Sequence, residues 1–306
     1  MAISGAVISV RGLRKSYGGR EVVRGIDLEV AHGEIFAFLG PNGAGKTTTV
    51  EILEGFRTRD GGDVTVLGED PRDPPRAWRN RIGVVLQESQ PEPELTAHEC
   101  VHLYAGYYDH PLPVDTTLAA VGLADRSDVR VAALSGGQRR RLDVALALVG
   151  DPELLFLDEP TTGFDPSARR QAWEVIAGLR ELGKTVFLTT HYMDEAEFLA
   201  DRIAVIAQGA IVAEGTPATL GGRDRAATEI AFTLPVGVGR DELPAATLRF
   251  VSDRHAGAVL LRTAEPMPVL QAISSWAVEH GYELADITVR RPTLEDTYLR
   301  LTREDA

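Results

Sequence analysis

The chain has 306 residues, enough for one large core domain with a small companion or for two mid-sized domains. Apolar residues make up 44% and charged residues 25%, an ordinary globular mixture that excludes disorder throughout. With 45 acidic and 32 basic residues the net charge is −13, which argues against broad nucleic-acid binding, since that depends on clustered Lys and Arg neutralising phosphates. The longest stretch without a charged side chain is residues 266–278, too short for the roughly 20 residues of a membrane-spanning helix. The N-terminus lacks a basic segment ahead of its short apolar run, so no secretory signal is expected. The single cysteine, Cys100, allows no disulfide within the chain and fits a reducing cytoplasm.

In chain order, residues 6–10, 26–30 and 34–39 read as strands, and a glycine-rich turn then leads into a helix over 46–54. Strand patterns recur at 63–67, 82–86, 154–157, 185–188 and 203–207. Helical patterns at 168–181 and 193–200 lie between the later ones. Strands separated by helices predict an α/β domain whose sheet has a parallel core. Between residues 96 and 149 only helices are expected, which reads as a helical insertion carried on that core. The run Gly215-Thr216-Pro217 closes the pattern. Beyond about residue 223 come strands at 229–234, 248–251 and 258–261, a helix at 267–280, a strand at 286–289 and a helix at 293–301. The expected division is therefore a domain over 1–222 and a small α+β domain over 223–306.

Three motifs carry chemistry. Gly40-Pro41-Asn42-Gly43-Ala44-Gly45-Lys46-Thr47, followed by Thr48, has the spacing of a phosphate loop, with a strand running into it and a helix leaving it. Small residues let successive backbone N–H groups turn inward on phosphates, and the new helix adds its positive end. Lys46 supplies a charge to the outer phosphates, and the Thr47 hydroxyl is suited to Mg²⁺. The second motif is the apolar run Leu154–Leu157 followed by Asp158, Glu159 and Pro160. Open α/β sheets bind ligands at the carboxyl ends of their strands, so Asp158 is placed to hold Mg²⁺. Glu159 is placed to polarise an attacking water or accept its proton. The third is Leu134-Ser135-Gly136-Gly137-Gln138, which opens a helix and so makes a second anion-seeking N-terminus about 90 residues after the first.

Together these motifs resemble the ATP-binding cassette (ABC) ATPases over about residues 8–220, in order and in spacing: phosphate loop, LSGGQ, LLFLDEP, TTGFDP and LTTHYMDEAE. The resemblance implies a phosphate-loop NTPase fold and a head-to-tail pair of copies. Each ATP would then lie between the Lys46 loop of one copy and Ser135, Gly136 and Gly137 of the other, with Gln138 closing that segment. It further implies that Tyr17 stacks on adenine, that Gln87 touches Mg²⁺ or the attacking water and senses the transport partner, and that His191 contacts the γ-phosphate. Asp165 would communicate across the dimer. Phe164 stands where the family usually has leucine, which predicts altered packing there.

The stretches around LSGGQRRRLDVALALV and TTHYMDEAEFLADRIAVI, and the closing RRPTLEDTYLRLT, are similar to ATP-binding subunits of exporters of the daunorubicin-resistance type. That similarity implies an integral membrane permease as partner and export of a drug, lipid or polysaccharide. It also implies a cytoplasmic location on the inner face of the membrane. An importer subunit, or an ABC ATPase acting on nucleic acid or ribosomes, is the alternative. The TTHYMDEAE segment and the LEDTYLRLT ending favour export over import. A single cassette and the acidic net charge weigh against a nucleic-acid partner.

Overall fold

The computed structural model describes residues 5–86, 91–248, 251–252 and 258–303. The chain divides into two compact units, Met1–Pro217 with Leu301–Ala306, and Ala218–Arg300.

The larger unit opens with strand β1 (Ala6–Tyr17), turns at Gly18-Gly19, and returns as β2 (Arg20–Ala31). β3 (Ile35–Leu39) and helix α1 (Lys46–Leu53) follow, then β4 (Gly61–Val66) and β5 (Ile82–Val85). The helical insertion contains α2 (Ala97–Ala105), α3 (Val114–Ala120) and α4 (Gly136–Leu148). The core resumes with β6 (Leu154–Asp158), α5 (Pro166–Glu181), β7 (Thr185–Thr189), α6 (Met193–Leu199), β8 (Arg202–Ala207) and β9 (Ala210–Gly215).

These strands form two sheets. An antiparallel sheet has the order β2-β1-β4, and a six-stranded sheet has the order β5-β6-β7-β3-β8-β9, with only β9 antiparallel to its neighbour. β3 reads Ile-Phe-Ala-Phe-Leu with every residue buried, the pattern of a central strand covered on both faces. Phe187 of β7 stacks on Phe36 and packs at a tilt against Phe38 and Phe156, at centroid separations of 5.6–5.7 Å. These rings join a core that also takes in Leu13, Ile26 and Leu28 of the antiparallel sheet. Trp78 fills the same core and donates its indole N–H to the Val66 carbonyl at 2.8 Å.

The register decides where chemistry is placed. Thr189 pairs with Asp158 on one side and Phe38 on the other. The carboxyl ends of β3, β6 and β7 therefore lie side by side, and each leads into a motif singled out above.

In the smaller unit β10 (Thr228–Thr233) is followed by α7 (Ala245–Leu248), β11 (Val251–Ser252), β12 (Ala258–Thr263), α8 (Pro266–His280), β13 (Ala285–Arg290) and the part of α9 (Leu294–Arg303) up to Arg300. The strands form an antiparallel sheet in the order β11-β12-β10-β13. α8 buries Val269, Ile273, Trp276 and Ala277, the spacing of one helical face, in a core with Ile230, Phe232 and Leu261.

The structure differs from the sequence-based expectation in two places. β9 was not anticipated; it pairs back on β8 through a two-residue turn, Gln208-Gly209, both with positive φ (48° and 85°), which is hairpin turn chemistry. Of the strand expected over 248–251, Leu248 instead ends α7 and Val251 opens a two-residue strand, while residues 249–250 lie outside the described residues. Pro244 and two alanines start the helix there, and the Thr247 amide donates to the Pro244 carbonyl at 2.7 Å.

Candidate functional site

The phosphate-loop segment wraps the end of β3. Gly40 passes so close to β8 that a Cβ there would lie 2.4 Å from the Ile206 carbonyl oxygen, so no side chain fits. Gly45 takes φ 105° and is the N-cap of α1, with no side-chain oxygen bonded to the first turn. The first-turn amides are thus left for a ligand, and no acidic residue in that turn opposes an anion. The Lys46 ammonium folds back over the loop, donating to the Gly40 carbonyl at 2.6 Å and the Pro41 carbonyl at 3.2 Å. Burial lowers its pKa, while the Glu159 and Asp158 carboxylates oppose that shift.

A cavity of about 580 Å³ opens above this loop. Its walls include Asn42, Gly43, Gly45, Lys46, Thr47 and Thr48 from the loop and first helical turn, and Asp158, Glu159 and His191 from the ends of β6 and β7. A second cavity of about 530 Å³ is lined by Tyr17, Arg20, Glu21, Arg24, Pro41, Ala44 and Gln208. The two share Val22, Asn42 and Gly43 as walls. Tyr17, 39% exposed, therefore stands in a space continuous with the phosphate loop; the Lys15 and Arg57 cations lie 5.5 and 5.4 Å from its ring.

The carboxylate turn is held tightly. Asp158 Oδ1 accepts a hydrogen bond from the Thr189 hydroxyl. Glu159 adopts φ 47°, a left-handed backbone that a side chain with a Cβ takes up only at a cost of order 1 kcal/mol. Its amide donates to the Thr189 carbonyl at 3.1 Å and to the Thr189 hydroxyl at 3.2 Å. Its carboxylate accepts from the Thr162 hydroxyl at 3.0 Å and lies 3.4 Å from His191 Nδ1. The turn thus aims Glu159 into the cavity and links it to His191. Thr162 and Thr189 fall in the TTGFDP and LTTHYMDEAE segments but were not singled out there; Thr162 lies three residues after Glu159 in the same turn, while the pairing of β7 with β6 brings Thr189 here.

The remaining candidates fall elsewhere. Ser135 caps α4 in a reciprocal pair: its hydroxyl accepts from the Gln138 amide at 3.2 Å, and its amide donates to Gln138 Oε1 at 2.9 Å. Ser135, Gly136, Gly137 and Gln138 do not line either cavity. Asp165 caps α5, accepting from the amides of Ser167 and Ala168 at 2.9 and 3.0 Å. Phe164 is half-buried beside it. Gln87 lies outside the described residues.

A glycine loop passing from the central strand of a parallel sheet into a helix, faced by two strand-end carboxylates, defines a nucleotide hydrolase of the phosphate-loop class. Known proteins narrow the class. A family model described as "ABC transporter" matches residues 23–162, and one described as "ABC transporter domain-containing protein-like, C-terminal domain" matches 228–293. Nod factor export ATP-binding protein I of Ralstonia nicotianae is 38% identical over 97% of this chain and 94% of its own length. Daunorubicin resistance ATP-binding protein DrrA3 of Streptomyces coeruleorubidus is 38% identical over 97% and 96%. Among solved structures, cbiO1 of Clostridium perfringens, part of the cbiONQ complex, has TM-score 0.64 and 28% identity, covering 70% of this chain and 89% of that one. The dimeric post-hydrolysis state of an ATP-binding cassette bound to ADP and Pi has TM-score 0.60 and 26% identity, covering 68% and 98%. The chain belongs to the ABC transporter ATP-binding family, and it is an ATPase whose cassette binds ATP and ADP. No helix among the described residues is long and apolar enough to cross a membrane.

Proposed function

We propose that this ATPase drives an exporter, hydrolysing ATP between two copies of itself paired head to tail on an integral membrane permease. The relatives named for Nod factor export and daunorubicin resistance support export over import, with a drug-like, lipid or polysaccharide cargo. Peripheral attachment to the cytoplasmic face of the membrane follows from that partnership. On this reading residues 1–222 are the cassette and 223–306 an accessory domain, and no nucleic acid is a partner.

The observation that carries the paired arrangement is a separation. Lys46, Thr47, Asp158, Glu159 and His191 share one cavity, while the capped start of α4 at Ser135 lies outside its walls. A second copy brings its Ser135–Gln138 segment to that cavity, and Asp165 lies where the two copies exchange signals. The adenine rests against Tyr17, and the phosphates lie on the amides from Gly43 to Thr48 with Lys46 on the outer ones. The hard oxygens of Thr47 and Asp158 fit Mg²⁺ carried in on the phosphates, with Gln87 as a further ligand. When bound, Mg²⁺ neutralises charge developing on the phosphates. Glu159 polarises the attacking water and takes its proton, and His191 holds the γ-phosphate side.

Two inactive variants test the pairing. Lys46→Ala removes the phosphate loop's charge, and Ser135→Arg blocks the helix start that caps the partner's nucleotide. A mixed dimer carries both lesions in one site and neither in the other. Mixing the two in membranes with the permease is expected to restore part of the ATPase activity. Mixed dimers that form, bind no ATP and stay inactive beside an active wild type would refute the shared site.

A further inference from the structure

Helix α4 buries the middle guanidinium of three consecutive arginines, Arg139-Arg140-Arg141. Arg140 is 8% exposed, and the helix beyond Arg141 is aliphatic apart from Asp143 as far as Leu148. Arginine is seldom so buried unless acceptors meet its planar fan of N–H groups. Here they do. Nε donates to the Pro160 carbonyl at 3.1 Å, and Nη2 donates to the Asp158 carbonyl at 2.8 Å and the Glu159 carbonyl at 3.4 Å. Nη1 donates to the Leu86 carbonyl, one residue before Gln87. The Asp143 carboxylate, one turn along α4, lies 3.7 Å away.

An anchor for α4 alone could use any nearby carbonyl. Among the described residues, three of these four carbonyls belong to consecutive residues, and the middle one is Glu159, whose φ is 47°. One side chain thus spans the strained turn from end to end. We infer that Arg140 is a positioning residue for hydrolysis: it holds the Asp158–Pro160 turn in the backbone geometry that aims the Glu159 carboxylate at the water. It also ties that turn to the helix that starts at Ser135. The inference rests on the reading of Glu159 as the group that activates water. A lysine would keep the charge but not the planar fan, so it could not bridge the turn from Asp158 to Pro160.

The test compares four proteins: wild type, Arg140→Lys, Glu159→Gln and the double variant. MgATP affinity is measured by equilibrium binding and hydrolysis by single turnover with protein in excess, each alongside a thermal melt. Arg140→Lys is expected to bind MgATP like wild type but hydrolyse it about 100-fold more slowly, the scale of a misplacement of about 1 Å. The double variant is expected to be no slower than Glu159→Gln alone, because the group being positioned is already gone. A purely structural role would multiply the two losses, and that result overturns the inference. So does normal turnover in Arg140→Lys beside a slow Glu159→Gln. Normal turnover in Glu159→Gln overturns the reading of Glu159 itself, and the inference with it. If Arg140→Lys does not melt cooperatively, Arg140→Gln, which keeps a planar donor, takes its place under the same criteria.

Discussion

Lys46 is one of three lysines in the chain, and its ammonium is held by two loop carbonyls that a phosphate would displace. It serves binding by charge and does not support the core. Lys46→Ala is therefore expected to lose tight MgATP binding, with a melting temperature close to wild type without nucleotide. Equal ATP affinity in equilibrium binding would remove the loop from the site. Glu159 occupies the opposite wall. Glu159→Gln keeps the shape of the side chain and its bond from Thr162 but removes the base, so MgATP should still bind. Hydrolysis should fall at least about 100-fold, the usual scale for a general base. The ATP-bound dimer should then accumulate, which size-exclusion chromatography with MgATP reads directly; near-normal turnover would show that another group is the base.

At the scale of elements, α1 joins the phosphate loop to a buried acid. Glu54 caps the helix at its C-terminal end, is 6% exposed, and faces a groove of about 460 Å³ with Trp78, Tyr104 and Tyr108. Burial raises its pKa from 4.5 to about 8, with the Asp158 and Glu51 carboxylates adding to the shift. The folded chain therefore holds a proton on Glu54 that the unfolded chain releases above pH 4.5. The sign follows: this group's contribution to stability is complete below pH 4.5 and is lost as pH rises to about 8. Glu54→Gln, which cannot ionise, should flatten that dependence and leave the protein more stable at pH 8, by on the order of a few kcal/mol. Urea unfolding at pH 5 and pH 8, without nucleotide and with chelator, measures it. An unchanged pH slope in the variant would mean that Glu54 is already ionised in the folded protein.

At the scale of the whole molecule, the two units have separate cores, one around Phe36, Phe38 and Phe187 and the other around Phe232, Ile273 and Trp276. Ligand stabilises only the unit that binds it. Calorimetry is expected to resolve two transitions, and MgATP at about 100 times its Kd should raise one of them by several degrees, equivalent to about 2.7 kcal/mol. A single transition, or a shift of both, would show that the units unfold together.

By itself the sequence determined the phosphate loop, the Asp158-Glu159 strand end, the capped start of α4 and the alternation of strands and helices. Each is local: loop curvature, a buried apolar run and a helix cap are set within a few residues by backbone sterics and hydrogen bonding. The longer-range features were not legible in this way. The bond from the Thr189 hydroxyl to Asp158 and the bond it accepts from the Glu159 amide depend on the register of two strands about 30 residues apart. Arg140 is the middle of three adjacent arginines and nothing local marks it as the buried one; its acceptors lie up to 54 residues away in sequence. Tertiary structure alone decided these, because only packing shows which carbonyls a buried cation meets.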